Sequence, residues 1–227
     1  MVAALIIGAT GLVGKSILAN AEKSELFTQI FTLGRRESPS TTEKVKSIIE
    51  SDTDKWPDLI KNEDVKVFFS GFGSTRASAG SADNFVKIDY GVNYESAKAA
   101  KEAGVETFVL ISSGHASKDS MLLYLKTKGR LEEDIKELKF PRTIILQPGM
   151  LIGERDTPRF VEGIAQTVMN WIRGTPLSFI GYPILGADVG KIAVELAEKP
   201  YVADGDEPIV EVIGAKELTE MAKKFHE

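Results

Sequence analysis

The sequence predicts an α/β fold, a doubly wound parallel sheet, and three observations carry that prediction. Residues 2–7 are an unbroken apolar run that leads into a glycine turn, the pattern of a strand buried on both faces. Strand-like runs then alternate with segments of helical periodicity along the chain, the order that builds parallel sheets. Several of those runs end in small residues (Gly34, Gly71, Ser112 and Ser113), which sets them at strand carboxyl ends, where open α/β sheets bind ligands.

The first strand is followed by Gly8, Gly11 and Gly14, and then by the apolar stripe Leu12, Val13, Ile17 and Leu18 of a helix. Gly8 permits a tight turn, Gly11 allows close backbone approach to a ligand, and Gly14 lets helix pack on strand. Thr10 to Val13 then present backbone N–H groups at the positive end of the helix, which suits a pyrophosphate. Residues 29–33 read as a second strand ending in Gly34-Arg35-Arg36. That strand end meets the adenosine ribose in dinucleotide folds, where arginine accommodates the 2′-phosphate of NADP. Two adjacent arginines, with no acid before them, predict NADP(H) over NAD.

Residues 45–49 read as a third strand, 56–60 as a short helix and 65–70 as a fourth strand leading into Gly71-Phe72-Gly73-Ser74. Helical periodicity over 83–104, through Val86, Tyr90, Asn93, Ala97 and Ala100, stops at Gly104. Residues 106–112 form the fifth strand, with Ser113 just beyond it. In the helix expected over 120–138, Tyr124 and Lys128 lie four apart on one face. A nearby ammonium favours the phenolate of a tyrosine. The set suits carbonyl reduction, with Tyr124 giving a proton, Ser113 bonding the same oxygen and Lys128 supporting the tyrosine and holding ribose hydroxyls.

Residues 143–146 give a sixth strand, 160–173 an amphipathic helix, and 177–185 an apolar loop with few charges. A helix over 188–198, a strand over 208–213 and a helix over 216–225 close the chain. The expected organisation is a single domain over 1–227, with 148–190 contributing a small substrate-side lobe.

Composition narrows the function classes. At 43% hydrophobic and 27% charged, the chain has a globular composition. A net charge of −5 without a basic run argues against nucleic acid. No cysteine is present, which rules out disulfides and thiolate chemistry, and two histidines, His115 and His226, do not make a metal site. No apolar stretch has the length of a membrane span. A strand from residue 2 leaves no room for a cleaved leader, so the expected address is the cytosol.

GATGLVG, GRR after the second strand, GSTRASAG after the fourth, SS…YLKTKGRLE and LQPGMLIGER together resemble the atypical short-chain dehydrogenase/reductases. More narrowly, the chain is similar to the Tat-interacting oxidoreductase-like group and its fungal mitochondrial outer-membrane relatives. The resemblance implies a Rossmann-type fold and an NADPH-dependent oxidoreductase of carbonyl reductase type acting on a small carbonyl compound, and the apolar composition after Gln147 suggests that this compound is apolar. It also implies cofactor contacts from Thr10, Gly11, Leu12, Val13, Arg35, Arg36, Phe72, Gly73, Ser112, Leu151 and Arg159, and the cytosolic face of the outer membrane as an address. An active-site asparagine common in the superfamily is replaced, with Asp89 and Tyr90 in its neighbourhood and Asn93 one turn on. The alternative the resemblance carries is an NADPH-binding regulatory or adaptor protein with little or no turnover, meeting a protein partner or a membrane surface peripherally.

Overall fold

The structure is a computed structural model, and it describes residues 2–40, 42–74, 79–153, 182–201 and 207–226. Its centre is a seven-stranded sheet in the order β3-β2-β1-β4-β5-β6-β9. These strands are β1 (Val2–Ile7), β2 (Phe27–Gly34), β3 (Val45–Ile49), β4 (Val67–Ser70), β5 (Thr107–Ile111), β6 (Arg142–Leu146) and β9 (Ile209–Ile213). Every pairing is parallel. The fold is thus the Rossmann-type, doubly wound sheet that the sequence predicts. The strand order reverses at β1, and a ligand crevice forms beyond the carboxyl ends on either side of such a point.

Alternation along β1 explains its unbroken apolar character. Ala4 and Ile6 enter one buried cluster, Leu5 and Ile7 the other. The first cluster packs α1 (Leu12–Lys23), α6 (Gly186–Glu198) and α7 (Ala215–Lys223) against one face. The second packs α2 (Trp56–Lys61), α4 (Asn93–Glu102) and α5 (Leu123–Glu137) against the other. Phe108 stacks between Phe68, at 5.2 Å, and Phe140, at 4.8 Å, and locks that second layer.

Two features were not anticipated. The stretch expected as one helix over 83–104 is α3 (Ala82–Val86), a π turn over Lys87–Val92, and α4. Asn93 accounts for the backbone there: its amide donates to the carbonyls of Ile88 (3.3 Å) and Asp89 (3.1 Å), and its oxygen accepts from Ser70 Oγ (2.6 Å). A two-stranded parallel pair, β7 (Leu151–Ile152) and β8 (Ile184–Leu185), lies apart from the main sheet. The helix expected over 160–173, most of the apolar loop over 177–185, and Arg159 lie outside the described residues. Among the described residues no helix is long and apolar enough to cross a membrane.

Candidate nucleotide and active site

Sterics fix the glycine turn. Gly8 has φ +82, and a Cβ there would sit 2.5 Å from the backbone of Gly71, so the β1 and β4 loops touch without room for a side chain. A Cβ on Gly14 would run into the carbonyl oxygen of Gly8, so α1 starts tight against the turn. Gly11 N–H donates to Gly8 O (2.8 Å) and Gly11 caps α1 without a side-chain bond. The first-turn N–H groups therefore have no intrahelical acceptor.

These N–H groups border a cavity of about 630 Å³ at the carboxyl ends of the strands. Thr10, Gly11, Leu12 and Val13 form one wall, and Arg35 and Arg36 form the β2 end. Phe72 and Gly73 line it from the loop after β4, with the Phe72 ring edge-on to buried Trp56 at 5.2 Å. Ser112, Tyr124, Lys128 and Leu151 complete it from the other side. Gly8 borders a smaller recess of about 50 Å³ that shares Thr10, Arg35, Arg36 and Phe72 and adds Thr32 and Ser38. Gly14 lines neither and acts through packing.

Ser113 does not line the cavity. Ile111, the last residue of β5, and Ser112 both line the cavity, while the Ser113 hydroxyl donates to Gly114 O (3.4 Å). Tyr124 is 41% exposed, with its ring 5.8 Å from that of Phe85. Lys128, one turn on, is buried.

Sequence reasoning left Asp89 without a role, and the structure shows its contacts. Its carboxylate lies 3.1 Å from Lys128 Nζ, with both side chains at or below 5% exposure. The other carboxylate oxygen accepts from Ser74 N–H (2.8 Å) and Ser74 Oγ (2.6 Å). Asp89 therefore joins α5 to the loop after β4, directly under the cavity. Tyr90 turns away: its hydroxyl donates to Asp134 (2.5 Å), and burial together with that carboxylate pushes its pKa up to about 12. Asn93 is occupied by the π turn.

Glu132 was also missed. It is buried one turn beyond Lys128, accepts from Ser112 Oγ, and accepts from Gln147 Nε2 at 2.8 and 3.1 Å. Burial raises its pKa, against the lowering effect of those two hydrogen bonds. The available signal was an acid beside an apolar stripe, since Leu131 directly precedes it and Ile135 follows three residues later. Asp89 carries the same signal between Phe85 and Val92.

Among solved structures, a UDP-glucose 4-epimerase from Thermotoga maritima superposes with a TM-score of 0.67 at 14% identity, covering 98% of this chain and 82% of that one. The oxidoreductase ylbE from Lactococcus lactis gives 0.65 at 21% identity, over 99% and 98%. At these identities the likeness is one of fold. Curated relatives are far nearer. "Protein FMP52-1, mitochondrial" of Scheffersomyces stipitis is 52% identical over 98% of this chain and 99% of its own length. "Protein FMP52, mitochondrial" of Candida albicans is 46% identical over 97% and 98%. These names overturn the cytosolic address expected from the sequence, because a strand that starts at residue 2 carries no information about destination. The HIM1 family model matches residues 17–173, well over half of the sequence, and the chain belongs to the HIM1 family.

Proposed function

We propose that the protein is an NADPH-dependent oxidoreductase of carbonyl reductase type. The observation that carries this reading is one cavity bordered by the glycine turn, the Arg35-Arg36 pair and the Tyr124/Lys128 row. Its described lining bears Lys15, Arg35, Arg36, Lys87 and Lys128 against a single acid, Asp89, which already faces Lys128. A wall with that charge fits a ligand with several phosphates. The glycine cradle at Gly8 and Gly71, which a Cβ would fill, fits the close backbone approach a pyrophosphate needs.

In this reading the N–H groups of Thr10 to Val13 hold the pyrophosphate, and Arg35 and Arg36 the 2′-phosphate. Phe72 and Gly73 lie along the adenosine half. Lys128 holds ribose hydroxyls from its buried pair with Asp89. Bound NADPH supplies a hydride. Tyr124, half in solvent at the cavity mouth, gives the proton to the substrate oxygen. Leu151 borders the substrate end. Neither serine hydroxyl is free to polarise a carbonyl, since Ser113 is turned to Gly114 O and Ser112 to Glu132. That observation favours the second reading, an NADPH-binding regulatory protein with little turnover.

The test is titration of the purified protein with NADPH and NADH, following nicotinamide fluorescence. The expected result is a preference for NADPH. It should fall by about tenfold or more in Arg35→Ala/Arg36→Ala, the effect of losing charge-assisted hydrogen bonds, with NADH affinity unchanged. Equal affinity for the two nucleotides in the wild type overturns the 2′-phosphate assignment, and no binding of either overturns the function. Turnover that survives Tyr124→Phe unchanged overturns its role as proton donor.

A further inference from the structure

Glu132 is a buried acid that the proposed chemistry does not use, and its contacts give it a direction. Ser112 N–H is held by Leu146 O (2.8 Å) and Gln147 N–H by Ile213 O (2.9 Å), so the sheet fixes both of its partners. Gln147 Nε2 bonds both carboxylate oxygens, which are thereby held in place. A serine hydroxyl has one hydrogen to donate and two lone pairs to accept with. Ser112 lines the cavity, and with that hydrogen on Glu132 its Oγ has only lone pairs left for a further partner.

We propose that Glu132 is a positioning residue that makes Ser112 a hydrogen-bond acceptor toward the cavity. The wall beside Lys128 then selects a ligand O–H or N–H, such as a ribose hydroxyl or a carboxamide, over a carbonyl oxygen. The proposal rests on the dinucleotide reading and assigns a part of that ligand to Ser112. Protonation of Glu132 reverses the arrangement. The carboxyl O–H donates to Ser112 Oγ, and the serine hydrogen turns to the cavity as a donor. Burial moves that protonation up from the ordinary carboxylate range. Among the described residues the other charged groups around Glu132 are Lys136 and Glu133 of its own helix, and the ends of β5 and β6 present Ser112 and Gln147.

The experiment measures NADPH affinity from pH 4.5 to 8 for wild type, Glu132→Gln, Ser112→Ala and Ser112→Thr. In the wild type affinity falls about three- to tenfold as pH drops through Glu132 protonation, the worth of one hydrogen bond. Ser112→Ala and Glu132→Gln both lose that component, and Ser112→Thr, which keeps a hydroxyl, retains it. A structural Glu132 leaves the pH dependence of Ser112→Ala like that of the wild type, and this result overturns the proposal. Should Glu132→Gln fail to fold, the Ser112→Ala and Ser112→Thr pair decides alone. Absence of NADPH binding by the wild type overturns the dinucleotide reading and this proposal with it. Binding without the serine-dependent component overturns the proposal only.

Discussion

Lys128 and Asp89 lie 3.1 Å apart with side-chain exposures of 5% and 1%, so neither charge is shared with bulk water. Breaking a buried pair from one side costs about 3–5 kcal/mol, because an uncompensated charge is left behind. Lys128→Met should fall at the low end, about 3 kcal/mol, since Asp89 keeps the two donors of Ser74. Asp89→Asn should lie higher in that range, because it also weakens the bonds to Ser74 and strands the ammonium. The double variant leaves no buried charge at the pair and should lose far less than the sum, giving a coupling of about 3 kcal/mol or more. Urea denaturation of the four proteins, followed by circular dichroism at pH 7, measures the cycle. The coupling should hold from low salt to 0.5 M NaCl, where an exposed pair would be screened to nothing. Additivity within about 0.5 kcal/mol, or a coupling that salt abolishes, would refute the buried pair.

Two further outcomes follow from sterics and from burial. Gly14→Ala forces a Cβ into the Gly8 carbonyl and should cost about 3 kcal/mol or more in urea unfolding, the upper end for overpacked core sites. Gly91→Ala, which meets nothing within 4 Å and lies in a helical turn, should be neutral or stabilising by up to about 1 kcal/mol; equal effects at the two sites would contradict the close α1–β1 packing. For Glu132 the folded pKa is raised above the ordinary 4.5, so the native state holds a proton that the unfolded chain releases. Wild-type stability therefore carries a component that is present below pH 4.5 and is lost as pH rises through the folded pKa. Glu132→Gln lacks that loss, and the gap between variant and wild type should move in the variant's favour with rising pH. Parallel stability curves from pH 4.5 to 7.5 would show that Glu132 is not desolvated.

The parts of the fold that depend on local pattern were readable. β1 was legible because a strand buried on both faces has no polar alternation to confuse it, and the glycine turn because only glycine meets its steric demands. What failed were features set by register rather than residue type. Reading 83–104 as one helix assumes that each residue advances by the same angle, and the π turn breaks that assumption, turning Asp89 inward and Tyr90 toward Asp134. Ser113, expected beside Ser112 at the site, lies two residues past the end of β5, where strand alternation no longer says which way a side chain turns. β7 and β8 are two residues each and pair across 33 positions of sequence, so no periodic signal marks them. The address was not legible in composition or strand pattern; only the resemblance to fungal mitochondrial proteins pointed to the compartment that the relatives' names give.

Helix α5 shows why the missed acids belong with the predicted residues. Tyr124, Lys128 and Glu132 stand at successive four-residue steps and descend from half-exposed to buried, and each meets a different element: Phe85 of α3, Asp89 of the π turn, and Ser112 at the end of β5. Two buried carboxylates and a buried ammonium are a poor way to stabilise a helix, since apolar side chains of similar volume commonly do as well or better. If folding alone had shaped this face, the Asp89→Asn/Lys128→Met protein would be as stable as the wild type and bind NADPH as well. If the face is built for a ligand, that protein should remain folded while its NADPH affinity falls about tenfold or more, the loss expected for a charge-assisted contact to the ribose. Stability and binding then separate in one variant, and only the second outcome is consistent with a buried charge pair kept at the cavity wall.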